Sequence, residues 1–194
     1  MIFIANHGRR VHVHARIAPA TPPYAAPIQD QLERLMPPGR APLALFTTLA
    51  RDARLFERFM RGGLLDRGHL TLRQREIVID RVTASCRAEY EWGVHVAFFA
   101  DRVGIDRAAQ RALVHGDAED PSWSGDERLL IRLCDSLHET CDVDDALWCA
   151  LAERFTPEAI IELVMLAGQY RMVSYVCNAL RLPPESYAAH FPPP

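Results

Sequence analysis

The chain has 194 residues, 49% of them hydrophobic and 24% charged, which fits one ordinary globular domain with terminal extensions. Its formal net charge is -3 and its pI is near 6.2, so neither a nucleic-acid surface nor an anionic membrane is expected as partner. Five cysteines, Cys86, Cys134, Cys141, Cys149 and Cys177, are odd in number and form no C-x-x-C pair; they read as reduced, buried thiols of a cytoplasmic protein.

Residues 1–27 read as an irregular N-terminal extension. The alternation Val11-His12-Val13-His14 is too short to establish a strand, and Pro22, Pro23 and Pro27 oppose helix. The two histidines fit a solvated tail better than a metal site. A short helix is predicted over 28–35, stopped by Pro37-Pro38-Gly39. A longer one follows over 43–61, with Leu45, Phe46, Leu49, Phe56, Phe59 and Met60 on its apolar stripe and Gly62-Gly63 at its end.

Thr71, with Gln74 three residues on, has the spacing of a capping box and opens a helix to about Thr83. The polar break 83–87 offers Ser85 as the N-cap of a helix over 88–103, closed by Gly104. Asp106 caps a helix to His115. Ser124 and Glu127 repeat the capping-box spacing before a helix to about Thr140, and Asp144 caps 145–155. Thr156-Pro157-Glu158 combines an N-cap, a first-turn proline and a first-turn acid, and its helix reaches about Leu180. The Pro-rich stretch 183–194 reads as a loose tail. About eight helices and no strand make an all-α domain over 28–182.

The last helix is apolar on nearly every face, through Ile160, Ile161, Leu163, Val164, Met165, Leu166 and Ala167. Glu162, Gln169, Arg171 and Asn178 make it a poor membrane span. In a domain this small, such a helix is expected to complete its burial at a subunit interface.

The chemistry concentrates in 71–100. Glu91 and His95 are four residues apart, hence on one helical face, where a carboxylate orients an imidazole and raises its basicity. Glu76 precedes Glu91 by fifteen residues, about 22 Å along one continuous helix, so the two meet only if the chain turns back between them. Glu76 can point inward beside Ile77-Val78-Ile79, or outward to pair with Arg73 or Arg75. Tyr90 and Trp92 read equally as walls of a substrate pocket or as core aromatics. Cys86 lies nine residues before His95, on the opposite side of a continuous helix, and no second cysteine is near it to resolve a thiol cycle.

These residues resemble the carboxymuconolactone decarboxylase family, which includes the AhpD-like alkylhydroperoxidases. The resemblance covers roughly 40–182. It rests on Leu72-Arg-Gln-Arg-Glu76-Ile-Val-Ile, on Glu89-Tyr90-Glu91-Trp92-Gly-Val-His95, on 100–104 and 129–137, and on Gly168-Gln169-Tyr170. It implies an AhpD-like helical bundle, homo-oligomeric as a trimer or hexamer, with no cofactor and no metal. The family's peroxidase branch carries a Glu followed by C-x-x-C-x-x-x-H. Glu76 and His95 match the Glu and the His, but the two cysteine positions fall on Ala88 and Glu91. The decarboxylase branch has Glu-x-x-x-His here, matched by Glu91 and His95, although its own string lacks the flanking aromatics.

The resemblance therefore implies a decarboxylase-like lyase, working by acid/base chemistry on a small carboxylated or lactone metabolite. His95, Glu91 and Glu76 are the expected catalytic residues, Tyr90, Trp92 and Arg81 the expected substrate contacts, with Arg87 a second candidate cation. The alternatives are a peroxidase-like antioxidant activity through Cys86 and a non-catalytic oligomeric scaffold or sensor.

Overall fold

The computed structural model describes residues 15–64 and 66–194, so the histidines at 12 and 14 lie outside the described residues. Nine helices and no strand are present among the described residues: α1 (Ala26–Leu35), α2 (Ala44–Leu49), α3 (Ala53–Arg61), α4 (Leu72–Ser85), α5 (Glu89–Val103), α6 (Arg107–His115), α7 (Gly125–Thr140), α8 (Asp145–Ala152) and α9 (Pro157–Leu180). The helix starts follow their capping chemistry. Thr71 and Ser124 make complete capping boxes with Gln74 and Glu127, and the side chains of Asp106, Asp144 and Thr156 each accept a first-turn backbone N–H.

The helix expected over 43–61 is two helices. The Asp52 carboxylate accepts from Leu55 N at 3.0 Å and starts α3 afresh. The break lets Phe56, 1% exposed, pack with Ile28 and Leu32 of α1 in a separate small core.

The helix enclosed on all sides is α4. It packs against α5, α6, α7 and α9, and Ile77, Val78 and Ile79 are fully buried. By contrast α9 buries Leu163, Leu166, Tyr170, Val173 and Cys177 on one side and leaves Ile161, Met165 and Tyr175 more than half exposed on the other. Among the described residues it is the one helix long and apolar enough to cross a membrane, but its buried face belongs to the domain core.

The chain reverses between α4 and α5 by a backbone device. Arg87 N–H bonds to Ala84 O and Ala88 N–H to Thr83 O, both at 2.8 Å, with Arg87 in the left-handed region at φ 54°. This is the bonding of a Schellman turn, made with arginine where glycine is usual. Ser85, expected to cap α5, instead ends α4 with its hydroxyl donating to Arg81 O. The N-cap of α5 is Ala88.

The tail after α9 is not loose. Phe191 packs 5.1 Å from the Trp92 ring, Ala189 N–H bonds to Gly93 O at 3.0 Å, and His115 Nε2 donates to Pro192 O at 2.7 Å. Gly93 is needed for this: a Cβ there would sit 2.2 Å from Ala189 O. Three apolar side chains, Leu182, Tyr187 and Phe191, give the proline-rich segment enough to bury.

Candidate functional site: a buried carboxylate–imidazole cluster

On α4, Glu76, Asp80 and Thr83 follow one another at spacings of four and three and share a face. On α5, Glu91, His95, Phe99 and Arg102 do the same. The turn at Arg87 lays these faces together, and α9 closes the third side with Tyr170. Glu76, Asp80, Glu91, His95 and Tyr170 are all buried.

The nearest partner of His95 is Glu76. Its Oε2 lies 2.7 Å from His95 Nδ1, whereas Glu91 Oε1 stands 3.5 Å from Nε2. The Tyr170 hydroxyl, 3.1 Å from Nε2, is the better hydrogen-bond partner on that side. The helix neighbour Glu91, read from spacing as the orienting carboxylate, is thus the weaker contact. The surface alternative for Glu76 does not hold either: it is 0% exposed, with Arg75 Nε 3.4 Å from its Oε1.

Burial disfavours an imidazolium, but the hydrogen bonds and charges of Glu76 and Glu91 outweigh it and raise the His95 pKa to about 10. At neutral pH His95 therefore carries both ring protons. Nδ1–H donates to Glu76, and Nε2–H faces the Tyr170 oxygen and Glu91. Asp80 has its pKa raised, first by burial and then by Glu76 and Glu91, against the pull of His95. Neither Asp80 Oδ1 nor Glu91 Oε2 has a hydrogen-bond partner among the described residues. Asp80 was not singled out in the sequence, although its spacing of four from Glu76 was visible. No three His, Cys, Asp or Glu side chains converge as metal ligands among the described residues.

The other expected site residues lie elsewhere. Tyr90 is a strut: its hydroxyl donates to Glu185 Oε1 at 2.7 Å and accepts from Leu45 N at 3.1 Å, tying α5 to α2 and the tail. Trp92 is a fully buried core residue under Phe191. Arg81 forms a two-pronged ion pair with Asp135 at 2.6 and 2.8 Å and donates to Leu113 O and Gly116 O, tying α4 to α7 and to the end of α6. Arg87 is exposed in the turn. Arg102 was missed. It stacks 5.3 Å over the Phe99 ring, which itself lies 5.5 Å from the His95 ring, so it is the outermost residue of the His95 stripe.

Cys86 keeps different company. Its sulfur lies 4.0 Å from His138 Nδ1, which also receives Arg171 Nη1 at 3.3 Å. Burial raises the thiol pKa, with Ser174 and Arg171 opposing. Cys134 and Cys177 are buried, whereas Cys141 and Cys149, expected inside, are exposed. Two surface cavities of about 360 and 480 Å³ are lined by residues around His69 and Glu162 and around Met36 and Arg40, away from the cluster.

No family model and no curated protein matches this sequence. Solved structures do. An uncharacterized peroxidase-related protein from Silicibacter sp. TM1040 superposes with a TM-score of 0.78 at 16% identity, over 90% of this chain and 94% of its own. An alkylhydroperoxidase AhpD core protein from Ralstonia eutropha JMP134, also an uncharacterized peroxidase-related protein, gives 0.76 at 17% identity, over 88% and 93%. A cysteine-to-alanine variant of the debrominase Bmp8, in complex with 2,3,4-tribromopyrrole, gives 0.70 at 14% identity, over 90% and 94%. The chain has the fold of the AhpD-like, peroxidase-related proteins.

Proposed function

We propose that this protein is a general-acid enzyme acting on a small carboxylated ring or lactone. The observation that carries the reading is the buried Glu76–His95 pair at 2.7 Å, with Nε2 of the same imidazole turned toward Tyr170 and Glu91. An imidazolium held by Glu76 is a proton donor ready at neutral pH. In a decarboxylation the bond to the carboxylate carbon breaks, carbon dioxide leaves, and the electron pair passes onto the adjacent carbonyl as an enolate. His95 Nε2–H then protonates carbon, and the Tyr170 hydroxyl is placed to stabilise the oxyanion. Arg102, exposed at the outer end of the same stripe with Phe99 between it and His95, is the cation that draws an anionic substrate toward the cluster. That a debrominase of this fold binds 2,3,4-tribromopyrrole supports a small planar ring as ligand.

The thiol reading is weaker. The positions of the peroxidase branch's two cysteines hold Ala88 and Glu91, and Cys86, its thiol pKa raised by burial, pairs with His138 instead of His95. The test is carbon dioxide release from a panel of carboxylated lactones and ring acids. Wild type and Cys86→Ser should turn over the same substrate, His95→Ala should lose at least a hundredfold, and Arg102→Ala should raise KM more than it lowers kcat. Turnover that survives His95→Ala overturns the proposal, as does a folded wild type inactive on the whole panel.

A further inference from the structure

Between α1 and the chain on either side of it lies a cavity of about 480 Å³, a volume within the range of small-molecule sites. Its walls are apolar and stiff. Pro22 and Tyr24 come from ahead of α1, the buried Leu32 and Met36 from α1 and its end, and Pro38 and Pro42 from behind. Proline rings fix the backbone and the two buried side chains are packed in place, so little of this wall must be ordered when a ligand enters.

Arg40 is the cation of the cavity, and the fold holds it in position. Its backbone N–H bonds to Pro37 O at 3.1 Å, and Gly39 has φ 81°. Proline at the second position and a left-handed glycine at the third are the signature of a type II turn, which fixes where Arg40 leaves the loop. The guanidinium carbon lies 4.3 Å from the centre of the Tyr187 ring and 5.1 Å from that of Phe98. The two rings meet at 76°, 5.5 Å apart, and form a corner against which the guanidinium stacks. Arg40 is exposed, and none of the ion pairs among the described residues involves it. Residues 1–14 contain no aspartate or glutamate, so they bring it no carboxylate either.

We propose that this cavity binds a small carboxylic acid with an apolar body, its carboxylate on the Arg40 fork and its body among Met36 and the prolines. A guanidinium matches a carboxylate through two parallel hydrogen bonds, and one positive charge balances one negative. A phosphate dianion would keep an unanswered charge beside Glu33, which also lines the cavity. An amine directed to Glu33 is the competing ligand. It is the poorer one, because Gln29 Nε2 already donates to Glu33 Oε1 at 2.6 Å. None of the cavity's residues belongs to the His95 cluster, and the inference does not rest on the chemistry assigned there.

Three probes share one body and differ in the head group: phenylbutyrate, phenylbutanol and phenylbutylamine. Each is titrated at neutral pH into the full chain carrying methyl-labelled methionine. Phenylbutyrate should bind with a Kd of about 1 mM or tighter, about tenfold tighter than the alcohol or the amine. It should move the Met36 methyl resonance more than those of Met165 and Met172. Arg40→Ala, checked for its helical circular dichroism, should bring the acid down to the affinity of the alcohol, and Glu33→Gln should tighten the acid. His95→Ala should bind it as wild type does, so a failure of the proposed reaction leaves this result untouched. The proposal is overturned by an acid that binds no tighter than the alcohol, by an amine that binds best, or by a Met36 methyl that moves no more than the other two. These three comparisons need only the wild type. A preference for the acid that survives Arg40→Ala overturns it as well.

Discussion

Asp80 is where the cluster is least comfortable. Glu76 has His95 and Arg75 beside it, and Glu91 has His95, but Asp80 Oδ1 is buried without a partner among the described residues. Burial and two nearby carboxylates hold its pKa well above the usual carboxylate range. The folded chain must therefore keep a proton that the unfolded chain releases above about pH 4, and that costs stability at neutral pH. An asparagine has the shape of the protonated acid without this cost. Asp80→Asn is expected to raise the thermal midpoint at pH 7, with the gain shrinking as pH falls toward 4. Asp80→Ala should be destabilised at both, because it leaves a cavity beside Ile77. A pH-independent effect of Asp80→Asn would mean that Asp80 is not protonated in the fold.

At the scale of elements, what was legible depends on whether a local rule was in force. The starts of α4, α6, α7, α8 and α9 were readable because Thr71, Asp106, Ser124, Asp144 and Thr156 each close a hydrogen bond within three residues. The turn into α5 was located but misassigned, since Arg87 occupies a left-handed position that sequence rules reserve for glycine. The docked tail was not legible, because its anchor at Gly93 is 96 residues away from Ala189. That anchor makes a prediction. Gly93→Ala forces a methyl group toward Ala189 O, which is backbone and cannot swing aside. The variant should lose about 1–3 kcal/mol. Its Ala189 amide should exchange with deuterium at least tenfold faster, while the amides of α4 keep their protection. Unchanged exchange at Ala189 would show that the tail does not depend on this approach.

For the whole molecule, the all-α fold was readable, whereas the approach of Glu76 to the helix of Glu91 and His95 was readable only as a condition, that the chain reverse between them. Which carboxylate would hold His95 was not: a spacing of four guarantees only proximity, and packing of α4 against α5 decided it. The same packing encloses three carboxylates and one imidazole within α4, α5 and α9, so global stability must follow their protons. The folded pKa of His95, raised to about 10, stands above the ~6.5 of an unfolded imidazole. Its contribution is therefore complete below about pH 6.5 and is lost as pH climbs through 10. Asp80 acts in the same sense from a lower pH, because its folded pKa is also raised. Urea midpoints of wild type should fall steadily from pH 7 to pH 10. Glu76→Gln removes the nearest negative charge and should cost about 3 kcal/mol at pH 7 by breaking a buried pair. It should also flatten the alkaline decline, since His95 then titrates closer to its unfolded value. In Asp80→Asn the alkaline decline from His95 should persist. A wild-type midpoint that stays level between pH 7 and pH 10 would mean that His95 is neutral in the folded protein, and the acid assigned to it would have to be sought in Tyr170 or Asp80.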